Sequence, residues 1–247
     1  MEKITSRRNP LCVHIKKLGT DRGYREAHGE FLCDGLKLLS EADKFDAEIT
    51  AVLTSSHLPF PLPIDTRVYQ AESSVINSIS PLKNAQNVLF TCKIPKSNAE
   101  NLMGETAVLL DGVQDPGNVG TIIRTANAFE IKNIILTGAC ADIYNPKTVR
   151  ATMGAIFRQN ICYISIEKLR VLKKNGVKFI GAALGEDSKA FDEIDLKGTF
   201  IAIGSEGKGL SAEVLELCDE KVVIPISQDC ESLNAAVAAA ILMWSAK

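Results

Sequence analysis

The chain has 247 residues, 46% of them hydrophobic and 23% charged, and a net charge of −2. These fractions exclude long-range disorder and a collagen-like or coiled-coil rod, and the length suffices for a core without disulfide staples, as one large domain or two modest ones. The longest apolar run, Ala235 to Trp244, is far short of the ~20 residues of a membrane helix.

Residues 1–25 hold seven cations, Lys3, Arg7, Arg8, Lys16, Lys17, Arg22 and Arg25, against Glu2 and Asp21. The segment is therefore +5 and the remainder −7. A basic arm on an acidic body can hold a phosphate backbone; a solvated helix face is the competing reading. The opening MEKITSRRNP contains no apolar signal core, so no secretion signal is expected. Leu36, Leu38, Leu39 and Ala42 predict a helix, and the alternation in AEITAVLTS (47–55) predicts a strand. HLPFPLPID (57–65) is too rich in proline for a regular element. A short helix over 72–79 and a closing strand over 87–94 complete a small α/β unit of residues 1–93. The polar segment 94–105, with Pro95, Ser97, Asn98 and Gly104, reads as a linker.

From 106 to 247 the rhythm is clearer. Strand-like runs fall at 107–112, 133–138, 179–184, 200–204 and 221–226, with helical patterns at about 118–130, 146–157, 166–175, 211–218 and 232–246. Buried apolar strands alternating with helices predict a mostly parallel sheet covered on both faces, with ligands at its carboxyl edge.

Seven cysteines without a CxxC predict reduced thiols and a cytoplasmic protein. The three histidines fit no HExxH or zinc-finger pattern, and His28-x-Glu30 lacks the PCxxC partner of a zinc deaminase, so no metal is expected. Neither GxGxxG nor GxxxxGK[ST] is present, which leaves a dinucleotide oxidoreductase or a P-loop enzyme without its fingerprint.

Three segments carry the chemistry. In DGVQDPGNVGTIIRTANAF (111–129), Val119, Ile122, Ile123 and Ala126 form one buried stripe and Arg124 lies well away from it, near Gly117 and Gly120. That is an anion site at a helix start, or a helix cap with a surface arginine. AIGSEGKGLS (202–211) places Gly204, Gly207 and Gly209 around Glu206. It is a backbone that a ligand approaches closely, or a tight strand-to-helix turn with Ser211 as the cap. In IPISQDCESLNAAVAAAILMW (224–244), Ser232 reads as the N-cap of a helix apolar nearly all round, buried by its own domain or a partner chain. Asn234, in the first turn of such a helix, needs a definite hydrogen-bond partner.

Together these segments resemble the three motifs of the SPOUT superfamily, in particular its SpoU/TrmH-type RNA 2′-O-ribose methyltransferases, ribosomal RNA branch. YNPKTVRATMGAIFR (144–158) resembles the stretch that follows the family's first motif, and ITSRRNP with REAHGEFLCDG resembles its ribosomal-protein-like substrate-binding domain less specifically. The resemblance implies an α/β fold. A small substrate-binding domain is followed by a SPOUT domain whose parallel sheet is threaded into a deep trefoil knot, an exception to the unknotted rule. It implies that Gly204, Ile224 and Leu233, with Ala183, hold S-adenosyl-L-methionine. It places Arg124 beside the target nucleotide, with Asn118, Glu206, Ser232 and Asn234 around it. Arginine is an unpromising base because it is normally protonated; binding the adjacent phosphate and orienting the hydroxyl suits it better. Ser232 and Asn234 would anchor the phosphate and the loop, and Asn118 would position Arg124 or the ribose.

The family pattern also implies a homodimer through the last domain, with Arg150 or Arg158 entering the partner's site. Arg7, Arg8, Lys16, Lys17 and Arg25 would contact RNA. Two departures are visible: Ser227-Gln228-Asp229-Cys230 stands where relatives often carry a glycine-containing run, and Asp34 replaces a common glutamate. The two-domain layout favours 23S ribosomal RNA over transfer RNA as substrate. A fold that kept RNA binding but lost turnover, acting in ribosome assembly, is the remaining alternative.

Overall fold

The computed structural model describes residues 2–247 except Asn84, Glu100, Asn101, Glu186 and Gln228. Parts of the expected linker and Gln228 of the third motif thus lie outside the described residues. In chain order the elements are β1 (Glu2–Ile4), α1 (Pro10–Thr20), α2 (Arg22–His28), β2 (Glu30–Asp34), α3 (Leu36–Lys44), β3 (Ile49–Thr54), β4 (Val68–Ala71), α4 (Ser73–Ile79) and β5 (Val88–Lys93). They continue with β6 (Ala107–Asp111), α5 (Pro116–Ala128), β7 (Asn133–Thr137), α6 (Pro146–Ala151), a 3-10 turn at Ala155–Phe157, β8 (Asn160–Tyr163), α7 (Ile166–Lys174) and β9 (Phe179–Ala182). The last are β10 (Lys189–Ala190), β11 (Phe200–Gly204), α8 (Ala212–Leu215), β12 (Glu220–Val223) and α9 (Ala235–Ser245).

Two compact units form: Met1–Lys96 with Asp142–Phe157, and Ser97–Ala141 with Arg158–Lys247. The expected continuous domain over 106–247 is therefore corrected. Residues 142–157 belong to the first unit because their anchors are there. The buried Arg25 guanidinium donates to the Asp142 carboxylate and to Leu18 O at 2.6 Å. Phe31 meets Tyr144 and Phe157 with centroids 4.8 and 6.2 Å apart. The helix expected over 146–157 is shorter for a local reason: Met153 and Gly154 take positive φ (51° and 94°), which ends α6 and starts the 3-10 turn.

The first unit carries a five-stranded mixed sheet in the order β1-β4-β3-β5-β2, with β5 antiparallel to both neighbours. The basic N-terminus is not an arm outside this fold. Asn9 caps α1 by accepting from Leu11 N (2.9 Å), and Cys12, Ile15 and Leu18 enter the core while Lys16 and Lys17 stay exposed. The proline-rich 57–65 forms neither helix nor strand, as its composition dictates.

The second unit is a seven-stranded, wholly parallel sheet in the order β10-β12-β9-β11-β6-β7-β8. Every residue of β6 and β7 is buried, which explains their unbroken apolar runs. In register, Gly204 faces Asp111 and Asp111 faces Thr137, so β11, β6 and β7 end level and their loops rise from one edge. α5 buries Val119, Ile122, Ile123 and Ala126 as its spacing requires. All seven cysteines are free thiols, and only Cys230 is fully exposed.

Candidate active site

The loop after β11 is closed on itself. Ser205 and Gly209 exchange backbone hydrogen bonds (Ser205 N to Gly209 O, 3.0 Å; Gly209 N to Ser205 O, 2.9 Å). A Cβ at Gly204 would lie 2.1 Å from Gly209 C and 2.3 Å from Leu210 N, and Gly209 itself sits at φ 67°. Gly204 is thus required by the turn's own backbone, the second of the two readings of this glycine run. Nothing lies within 4 Å of a Cβ on Gly207, whose glycine the protein's own packing does not demand. The far end of the loop is tied to β6: the buried Asp111 carboxylate accepts from Ser211 N (2.6 Å), and Ser211 caps α8. Sequence reasoning missed Asp111; its signal is a lone acid ending an apolar strand in register with Gly204.

The loops after β9, β11 and β12 enclose a cleft of ≈ 430 Å³. Ala183, Gly204, Ile224 and Leu233 line it, together with Glu206 and Ser232, which the resemblance had placed around the target nucleotide, and Leu184, Leu210 and Ile226 add apolar wall that the motifs alone did not indicate. Nucleoside-sized volume, apolar walls and exposed loop backbone suit a cofactor of adenosine type.

A polar cluster joins the three motif segments. Asp115 caps α5 by accepting from Asn118 N (2.8 Å). The Asn118 side chain then works in both directions: its Nδ2 donates to Glu206 Oε1, and its Oδ1 accepts from Asn234 Nδ2 (3.0 Å). Asn234 Oδ1 in turn accepts from Ala236 N (2.9 Å) and Val237 N (3.3 Å). Asn234, not Ser232, is therefore the N-cap of α9, and it is exposed rather than buried. The partner its chemistry demanded is Asn118. Ser232 is left on the cleft wall with its side chain exposed.

Arg124 sits on α5 about two turns beyond Asn118, exposed, outside the cleft lining and with no side-chain partner among the described residues. Of the expected RNA contacts, Arg7, Arg8, Lys16 and Lys17 are exposed on the first unit. Arg25 is a correction: it is 4% exposed, and its guanidinium serves Leu18 O and Asp142 inside the fold. Arg150 lies 3.6 Å from the Asp34 carboxylate, and Arg158 Nε donates to Asn127 Oδ1 (2.9 Å). Burial pushes the Asp34 carboxyl up, against the Gln86 N–H, the Arg150 charge and the Ser80 hydroxyl. Burial also pushes the Cys218 thiol up to about 11. Among the described residues no three His, Cys, Asp or Glu side chains are arranged to hold a metal ion, and no helix is long and apolar enough to cross a membrane.

The molecule is an α/β protein whose parallel sheet carries a cleft at its carboxyl edge, the place where such sheets bind ligands, with an amide-tied polar cluster at Asn118. Residues 105–244 match the model of the SpoU rRNA Methylase family. The chain is 32% identical, over 99% of its length and 98% of the relative's, to the 23S rRNA (guanosine(2553)-2′-O)-methyltransferase RlmP of Bacillus subtilis. Among solved structures it is similar to the AdoMet-bound rRNA methyltransferase of Sinorhizobium meliloti, with TM-score 0.86, 30% identity, and 99% and 97% of the two chains covered. It is also similar to the SpoU methyltransferase AviRb of Streptomyces viridochromogenes in complex with AdoMet, with TM-score 0.82, 26% identity and 97% of each chain covered. This chain belongs to the SpoU family.

Proposed function

We propose that this protein is an S-adenosyl-L-methionine-dependent methyltransferase acting on a ribose 2′-hydroxyl of 23S ribosomal RNA. The observation that carries the substrate is the RlmP likeness, which runs through the first unit as well as the methylase segment. The acceptor is itself the group that distinguishes RNA from DNA. When bound, the cofactor supplies an electrophilic methyl on sulfonium, so the protein's task is positioning and charge management. The backbone at Gly204, Ile224 and Leu233, with Ala183 beside it, holds the adenosine part in the cleft.

Asn118 keeps the Glu206 loop and the α9 cap at a fixed separation, so that cofactor wall and substrate rim are one rigid piece. Arg124, exposed and uncommitted, binds the phosphate next to the target ribose and orients the hydroxyl; its planar fork suits phosphate. Ser232 donates to the same phosphate from the cleft wall.

The chain after β12 is on this reading threaded as a deep trefoil knot. Its support is that β12 pairs on the far side of β9, whereas α9, next in the chain, packs back against α5 and β11. The protein works in the cytoplasm as a homodimer through its second unit. Trp244 and Val237 are 64% and 48% exposed on α9, and Trp244 meets Phe129 edge-on at 5.5 Å, an apolar face suited to a second copy. The arginine lent across the dimer is Arg158, which belongs to that unit and hydrogen-bonds Asn127, or Arg150, which lies against Asp34 in the first.

The test is transfer of labelled methyl to separated RNA fractions by wild type and Arg124→Ala. Label at a ribose of large-subunit RNA, lost in the variant, is expected. Label in transfer RNA overturns the substrate. RNA binding without transfer to RNA or precursor particles overturns the activity.

A further inference from the structure

The first unit holds a cluster of rings that the methyl-transfer site does not use. Tyr24 and His28 on α2 are stacked with centroids 3.9 Å apart, and His14 on α1 meets them at 5.5 and 5.4 Å. Each ring is held in place. The His28 Nδ1–H donates to Tyr24 O at 2.9 Å, since a carbonyl can only accept, which turns Nε2 outward. His14 bonds the Tyr24 hydroxyl through Nδ1 (3.0 Å) and the Glu30 carboxylate through Nε2 (2.9 Å), and Lys93 closes the chain on Glu30 at 2.7 Å. Lys17 Nζ stands 5.2 Å from the Tyr24 centroid. Yet the outermost ring, His28, is exposed and Tyr24 only half-buried. A locked, solvent-facing stack beside a lysine can take a further flat ring without losing rotamer freedom.

We propose that this face is a stacking platform for one unpaired base of the RNA substrate, with the base on the outer face of His28 and its phosphate on Lys17. Base–aromatic stacking tolerates any base, and unpaired nucleotides are the parts of a folded RNA that can be splayed onto a ring. The platform gives the first unit a shape-selective grip on a loop or bulge. Its ligand class rests on the RNA methyltransferase reading above.

Fluorescence anisotropy of a short labelled single-stranded RNA with the full chain tests it, using His28→Ala, His28→Phe and His28→Lys. His28→Ala is expected to bind about tenfold more weakly. His28→Phe should stay within about twofold of wild type, and His28→Lys should not recover the loss. Melting temperature and S-adenosylhomocysteine affinity should be unchanged in all three, which a merely structural role would not produce. Wild-type affinity in His28→Ala overturns the platform, as does recovery by Lys but not by Phe, since charge rather than stacking would then be at work. If wild type transfers no methyl but His28→Ala still loses RNA, the platform stands and the activity reading falls.

Discussion

Replacing Gly204 by alanine tests the geometry of the cleft most directly. The new Cβ would sit 2.1 to 2.3 Å from three backbone atoms of Gly209 and Leu210, whereas carbon atoms in contact prefer ~3.5–4.0 Å. The 205–209 turn must therefore open by more than about 1 Å, which breaks the two Ser205–Gly209 hydrogen bonds. Those bonds are worth about 1 kcal/mol each, and the overpacking adds about 1–3 kcal/mol. The expected destabilisation is about 3–5 kcal/mol, which lowers the melting temperature by roughly 6–20 °C in a chain of this size. Glu206 rides on the displaced turn, and a displacement of about 1 Å costs on the order of a hundredfold in turnover. Gly207→Ala is the control, because nothing lies within 4 Å of its Cβ. Thermal melting, S-adenosylhomocysteine calorimetry and methyl transfer read the two variants side by side. If Gly204→Ala melts with wild type and binds the cofactor product normally, the claim that the turn shapes the cleft is wrong.

Asn118→Ala should reduce methyl transfer at least tenfold while shifting melting by no more than a few degrees, because it unties two exposed hydrogen bonds of about 1 kcal/mol each; wild-type turnover would show the tie to be idle. Arg25→Met should cost about 3–5 kcal/mol in denaturant unfolding, because it strands the Asp142 carboxylate; a cost near zero would mean that residues 142–157 are not anchored through this pair. Asp219 is pushed up by burial, but the Lys173 ion pair and the Phe179 N–H more than reverse this, leaving its carboxyl below the usual value. A depressed folded-state value stabilises above the unfolded value of about 3.9 and is lost as pH falls below it. The stability gap between wild type and Asp219→Asn should accordingly narrow below about pH 4, and a gap independent of pH would exclude the ion pair as its source.

Five of the seven strands of the second unit, β6, β7, β9, β11 and β12, were legible as short apolar runs bounded by Gly, Asp or Pro, and in β6 and β7 burial on both faces permits no alternation to confuse the pattern. The same logic missed β1, β4, β8 and β10, which run only two to four residues, and also β2, whose five residues are mostly buried. The cleft wall was also legible, since Gly204, Ile224 and Leu233 lie inside motifs whose resemblance to the family's own indicates them. The cap of α9 was not. Ser232 and Asn234 are both good caps, and the choice falls to Asn234 through Asn118, 116 residues away.

Local pattern was enough for the layer structure and the buried stripe of α5, because these depend on residues a few positions apart. Tertiary structure alone decided which cations face solvent and which segment belongs to which unit. Arg25 and Lys17 are equivalent as charges in the sequence, but one is closed in by Leu18 and Asp142 and the other is open to a ligand. Residues 142–157 follow the second unit's strand β7 in the chain, yet their aromatic and ionic partners lie in the first. Burial and pairing are properties of distance in space, and partners more than a hundred residues apart leave no periodic trace in the chain that joins them.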